Sequence, residues 1–127
     1  NTIGLFLVAK EVVPAMRARK SGAIVVIGAT ASRRGIPRTT AFAPAKAAQK
    51  SLCEALARQL GPEGIHVSLI VVDGVVDLPR TREWMKDKPD DFFIKPEGVA
   101  DLASFLVRQD KSAWTFEAEV RPFGEKW

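Results

Sequence analysis

Two segments constrain this chain more than anything else in it: residues 23–28 (AIVVIG) and residues 65–72 (IHVSLIVV). Each is short, almost continuously apolar and rich in β-branched residues. A strand with one wet face alternates apolar and polar side chains. A continuous apolar run of this length predicts instead a strand covered on both faces, as happens inside parallel sheets. Between the two runs, Ala45, Ala48, Leu52, Ala55 and Leu56 recur at helical spacing, and Gly61-Pro62 ends the pattern, so residues 42–60 are predicted to form a helix.

The same reading extends to both ends. Ile3, Phe6, Leu7, Val13 and Met16 place a helix over residues 2–19, with Pro14 expected to bend it because proline lacks the ladder N–H. Pro96 and Glu97 open a helix that runs to about Gln109, with Val99, Leu102, Ala103 and Leu106 on one face. Residues 115–121 alternate as a last strand, with Phe116, Ala118 and Val120 on one side, and a short helix is expected over residues 80–86. Helix, strand, helix, strand, helix, strand is the order of a parallel α/β sheet with right-handed crossovers. No repeat, low-complexity tract or internal boundary divides the 127 residues. Both apolar strands need helices on both faces and neighbours on both edges. The chain is therefore expected to sit against more protein, from upstream of Asn1 or from another copy.

Composition narrows the function classes. A single cysteine, Cys53, excludes an internal disulfide and fits a reducing compartment, so a cytoplasmic location is expected. Cys53 lies beside Leu52 and near Leu56 in a helical pattern and reads as a packing thiol. The apolar stretches fall short of the roughly 20 residues a membrane span needs, and no secretory pattern opens the chain, so no membrane partner is expected. The net charge of +4 is spread among interleaved acids and bases. The exception is Arg33, Arg34 and Arg38, read as a solvated loop, and no nucleic-acid partner is expected. The lone histidine, His66, sits inside a strand pattern and reads as structural; no metal site is expected. Asp73 and Asp77 flank the C-terminal end of the second apolar strand, the end where open α/β sheets bind ligands. A carboxylate there is a candidate for acid–base work, although loop capping is the plainer role.

Five short motifs, in order and at consistent spacing, resemble the short-chain dehydrogenase/reductase family. Asn1-Thr-Ile-Gly4-Leu-Phe6 is similar to its N-x-x-G-x-F helix start, and Gly22-Ala-Ile-Val-Val-Ile27 to the strand leading to its catalytic serine. Phe42-Ala-Pro-Ala-Lys46 falls where that family has Y-x-x-x-K. Gly64-Ile65-His-Val67 resembles G-I-R-V, and Asp73-Gly74-Val-Val-Asp-Leu78 falls at P-G-x-x-x-T. The resemblance implies the C-terminal half of a Rossmann-like, doubly wound parallel sheet of about three strands, one partial domain over residues 1–127. No G-x-x-x-G-x-G loop for the adenosine and pyrophosphate is present in it.

What the resemblance implies about chemistry is a nicotinamide cofactor, NAD or NADP, and carbonyl–alcohol interconversion. In the family, tyrosine exchanges a proton with the substrate oxygen and serine orients that oxygen. Lysine tunes the tyrosine and holds the ribose, and asparagine holds a relay water. Carried onto this chain, the catalytic candidates are Asn1 and Lys46, though Asn1 as first residue is equally a frayed terminus. The cofactor-binding candidates are Lys46, Gly28, Asp73, Gly74 and Val76. The tyrosine position is Phe42 and the serine position Ala29; the threonine expected against the carboxamide is Leu78, and the proline before Gly74 is Asp73. The chain contains no tyrosine at all, while Thr30 and Ser32 offer hydroxyls close to Ala29. Losing a general acid costs a factor of roughly 100 to 10,000. Two readings stay open: an impaired or inactive oxidoreductase, or a catalytically dead relative kept as a ligand-binding or oligomeric module. A homodimer or homotetramer is implied, through helices 2–19 and 42–60 and the last strand, with the aromatic tail of residues 114–127 at a contact. Residues 77–95, with Trp84, Phe92 and Phe93, would form an apolar lid over substrate.

Overall fold

In the computed structural model, which describes residues 1–124, helix α1 (Thr2–Arg19) runs unbroken through Pro14. It ends at Lys20, whose left-handed backbone lets the Ser21 N–H donate to the Met16 carbonyl at 3.2 Å. Strand β1 (Gly22–Ala29), helix α2 (Phe42–Leu60) and strand β2 (Ile65–Val72) follow. Then come β3 (Val75–Val76), α3 (Pro79–Trp84), β4 (Phe93–Ile94), α4 (Pro96–Arg108) and β5 (Glu117–Val120). The main sheet has the order β1-β2-β5 with every pairing parallel, as the alternation of elements predicts.

β2 is the spine of the core. Its Ile65, Val67, Leu69 and Val71 meet Ile24 and Val26 of β1 under Ala9 and Val13 of α1 and Cys53 and Leu60 of α2. The other face lies against α4, whose Leu106 is buried. There the His66 ring spans two carbonyls, of Leu106 at 3.0 Å and Thr115 at 2.9 Å, and stacks on Trp114 at 4.8 Å. His66 is thus the structural residue the sequence suggests. Cys53 is buried, its thiol donating weakly to the Ser68 carbonyl at 3.7 Å. Burial pushes that thiol up to about 11, and the charge of Glu117 adds to the shift.

Four expectations need correction. β1 is not covered on both faces: Val26 and Gly28 are buried, but Ile27 is 46% exposed, because β1 stands at the edge of the described sheet. The short helix begins at Pro79 rather than residue 80 and ends at Trp84, since Pro79 suits the first helical position and the Thr81 hydroxyl accepts from the Leu78 N–H at 3.0 Å. The last strand shortens to Glu117–Val120. The expected lid is partly core: Phe93 and Ile94 form β4, pair in parallel with Val75 and Val76, and are 4% and 7% exposed. Two-residue strands are too short for any periodicity to announce them. Trp84 stays outside, 65% exposed, with the Arg80 guanidinium 4.2 Å from its ring centre. Among the described residues no helix is long and apolar enough to cross a membrane, and no cluster of His, Cys, Asp or Glu could hold a metal ion. The end of the aromatic tail, residues 125–127, lies outside the described residues.

Candidate functional site

The register of the sheet builds the site. Ala29 pairs with Val72, and Val72 pairs with Val120, so the three strands finish level. The next residue of each strand, Thr30, Asp73 and Arg121, therefore emerges beside the others at the C-terminal edge. The Asp73 N–H donates to the Val120 carbonyl at 2.8 Å, extending the ladder by one rung. The Thr30 hydroxyl donates to Asp73 Oδ1 and lies 3.4 Å from the Val72 carbonyl. Arg121 Nη2 stands 3.4 Å from Asp73 Oδ2 and pairs with Glu119.

Arg33 corrects the reading of its loop as merely solvated, because it bonds both Glu117 and Glu119. Glu117 also accepts from Lys50 at 2.5 Å. Burial alone would raise the Glu117 carboxyl, but the hydrogen bonds from Lys50 and Arg33 outweigh it and hold the group below the usual carboxylate range. A chain of alternating charges thus runs from α2 across β5 to the end of β2.

α2 supplies the second part. Phe42 and Lys46 lie one helical turn apart, on one face. Lys46 Nζ donates to the Ile27 carbonyl and to Gln49 Oε1, both at 2.9 Å, and burial lowers its pKa from the ordinary lysine value. An ammonium has three donors, so one N–H remains for a ligand. The Phe42 ring, 46% exposed, has its centre 5.9 Å from Nζ. Asn1 is exposed just before α1 and makes no side-chain cap, while the neighbouring Thr2 hydroxyl donates to the Ala45 carbonyl at 3.0 Å and pins this end of α1 beside the Lys46 turn.

The remaining candidates are held by packing. A Cβ on Gly28 would come within 2.9 Å of Leu69 Cδ1. Gly74 has φ +155°, and a Cβ there would meet Pro122 Cδ at 2.8 Å. Val76 sits in the β3–β4 ladder. Asp77 is bound by Arg82, whose Nη1 also reaches Asp90 at 2.6 Å, and the Arg82 hydrogen bond lowers the Asp77 pKa. That carboxylate braces α3.

Two adjoining cavities open at this edge. One, of about 350 Å³, is lined by Thr30, Ala31, Arg34, Ile36, Thr39 and Asp73. The other, of about 380 Å³, shares Ala31, Arg34, Ile36 and Thr39 with it and reaches Ser32, Ala43 and Pro44. The Thr30–Asp73–Arg121 contact is what reading the sequence missed. Its only local signal is a hydroxyl next to Ala29 and an acid at the end of β2; Arg121 joins them only through the sheet register.

Comparison with known proteins agrees with this geometry. The family model described as enoyl-(acyl carrier protein) reductase matches residues 1–118. An uncharacterized oxidoreductase of Bacillus subtilis is 30% identical over 115 residues, covering 84% of this chain and 47% of the relative. A D-xylose 1-dehydrogenase of Caulobacter vibrioides is 31% identical over 115 residues, covering 84% of this chain and 46% of its own length. The crystal structure of a short-chain dehydrogenase from Rhodopseudomonas palustris superposes with a TM-score of 0.70 at 36% identity, over 91% of this chain and 45% of that one. The chain spans about half the length of the curated relatives it matches. With helices on both faces of a parallel sheet and these relatives along nearly its whole length, the chain belongs to the short-chain dehydrogenase/reductase family.

Proposed function

We propose that this chain forms the nicotinamide-facing half of an oxidoreductase that interconverts carbonyls and alcohols slowly, for want of a tyrosine-type proton donor. The observation that carries the reading is the pair on α2: an ammonium with one N–H to spare, and one turn away a phenyl ring that has no proton to exchange. NAD or NADP, when bound, supplies or accepts the hydride. Lys46 would hold its ribose hydroxyls, and the backbone around Gly74, kept open by a glycine that packing requires, would border the ring. Residues for the pyrophosphate are not among the 127, which contain no G-x-x-x-G-x-G loop.

Ile3, Phe6, Leu7 and Val8 of α1 are each more than half exposed. A helix face this apolar supports assembly of the protein as a homodimer or homotetramer through α1 and α2. The same face supports the second reading, in which the fold is kept as an interaction module without turnover.

Calorimetric titration of the purified protein with NADH and NADPH, followed by carbonyl-reduction assays of Phe42→Tyr combined with Ala29→Ser, separates these readings. The expected results are binding tighter than about 100 μM, roughly −5.5 kcal/mol, and a double variant at least about 100-fold faster than the wild type. Nucleotide binding with no carbonyl reduction by either the wild type or the double variant points to the module. No binding of either nucleotide overturns the oxidoreductase reading, and a monomer by light scattering overturns the assembly.

A further inference from the structure

We infer that Thr30 and Asp73 are the proton-transfer pair of this site, acting where Ala29 and Phe42 have nothing to exchange; the inference rests on the oxidoreductase reading above. The sheet register brings the two residues together at the ends of β1 and β2, and both line the cavity of about 350 Å³. A hydroxyl has one proton and two lone pairs. The Thr30 proton points to Asp73 Oδ1, which leaves its oxygen free to accept from a group in the cavity. Asp73 is oriented from its other side by Arg121 Nη2 at 3.4 Å and by its own N–H on Val120. A hydroxyl that passes the proton, a carboxylate that receives it and a cation that orients the carboxylate are the three parts a relay of this kind needs.

The competing carboxylates are occupied by cations. Asp77 is bound by Arg82, and Glu119 lies between Arg33 and Arg121. Asp73 alone of these receives a neutral hydroxyl on one oxygen. Its side chain is 18% exposed, sheltered yet able to return a proton to solvent.

The step is a relay without net electron change in the pair. The O–H bond of a small secondary alcohol in the cavity breaks, and a new O–H bond forms on Thr30 Oγ1. The former Thr30 proton passes to Asp73 Oδ1, and the bonding electrons of each broken O–H stay on the oxygen that loses its proton. The substrate is left as an alkoxide; Asp73, now neutral, gives its proton to water. Breaking the C–H bond of the alkoxide carbon would pass a hydride, with its two electrons, to bound NAD or NADP and leave the ketone; ketone reduction runs these steps backwards.

The test uses the purified protein saturated with NAD or NADP in oxidised form and cyclohexanol as the probe, with Thr30→Val, Thr30→Ser and Asp73→Asn. Nucleotide affinity and Tm are measured alongside, and Thr30→Val is expected to keep both. Thr30→Val and Asp73→Asn should lower kcat by about 100-fold or more, with Thr30→Ser close to wild type. Calorimetric affinity for cyclohexanol, which needs no turnover, should fall about tenfold in Thr30→Val and in Asp73→Asn. Wild-type protein that binds nucleotide, with alcohol affinity absent or untouched by both substitutions, overturns the pair alone. Failure of the wild type to bind either nucleotide overturns the oxidoreductase reading and the pair with it.

Discussion

β1 and β2 have the same length and a similar apolar, β-branched character and have different fates. Both are runs of eight with β-branched side chains at half or more of their positions, and they pair in register from Gly22↔Ile65 to Ala29↔Val72. β2 is buried from Ile65 to Val71, whereas β1 is half-buried along most of its length and bares Ile27. The difference lies in neighbours, since β2 has β1 on one edge and β5 on the other while β1 has a described partner only on one. Hydrophobic pattern sets what a strand asks for; topology decides how much of it this chain supplies. Ile27 of β1 and Phe105 and Val107 of α4, all about half exposed, mark apolar surface that this chain leaves uncovered.

Truncating one side chain in each strand would put the contrast to its hardest test. Leu69→Ala, at a site 1% exposed in the middle of the core, should cost about 2–5 kcal/mol, because a cavity adds to the lost transfer energy. Ile27→Ala, at a site 46% exposed, should cost about 1 kcal/mol. Urea denaturation of both variants measures the gap. Equal losses would mean that β1 is covered in solution, by a second copy or by protein beyond these residues.

The sequence made β2 legible because every one of its demands is met within the chain. It made the order of elements, the packing role of Cys53 and the fate of His66 legible for the same reason: each follows from spacing along one element. Lys46 and Phe42 could be placed on one face from the helical period alone. What escaped depends on partners distant in sequence. β3 and β4 exist only because Val75–Val76 and Phe93–Ile94 meet across a connection of sixteen residues, too short a signal at either end. Thr30, Asp73 and Arg121 are separated by 43 and 48 positions and share no motif; only the level finish of three strands joins them.

The turns that lead into the two strands sharpen the comparison at the level of backbone. Each strand is reached through a residue with left-handed backbone, Lys20 at φ 51° before β1 and Gly64 at φ 80° before β2. Only the second is glycine, and a Cβ on Gly64 would fall 2.6 Å from the Lys20 carbonyl oxygen. Gly64→Ala should therefore destabilise by about 1–3 kcal/mol through strain and collision. Lys20→Gly relieves the same strain in the turn before β1 and should stabilise by about 0.5–1 kcal/mol. Opposite signs in thermal melts bear this out; a destabilised Lys20→Gly would show that the lysine side chain contributes more than its backbone strain removes.

The smallest effect expected comes from the ion pair that ties these two turns together. Arg17, in the last turn of α1, donates from Nε at 2.6 Å and from Nη2 at 2.8 Å to the two oxygens of Glu63, in the turn before β2. The Arg17 hydrogen bond holds the Glu63 carboxyl below its ordinary value. A carboxylate lowered in this way binds its proton less readily folded than unfolded, so its contribution is present in full above the unfolded-state value of about 4.3. It fades as pH falls from there through the lower folded-state value. Both side chains are substantially exposed, so the pair is screened and its effect on Tm is small even at neutral pH. Melting wild type and Glu63→Gln side by side should show the wild type slightly higher at pH 7 and the two curves merging toward pH 3. A gap that persists unchanged at pH 3, or that widens with added salt, would mean that Glu63 acts through the shape of the turn into β2 and not through its charge.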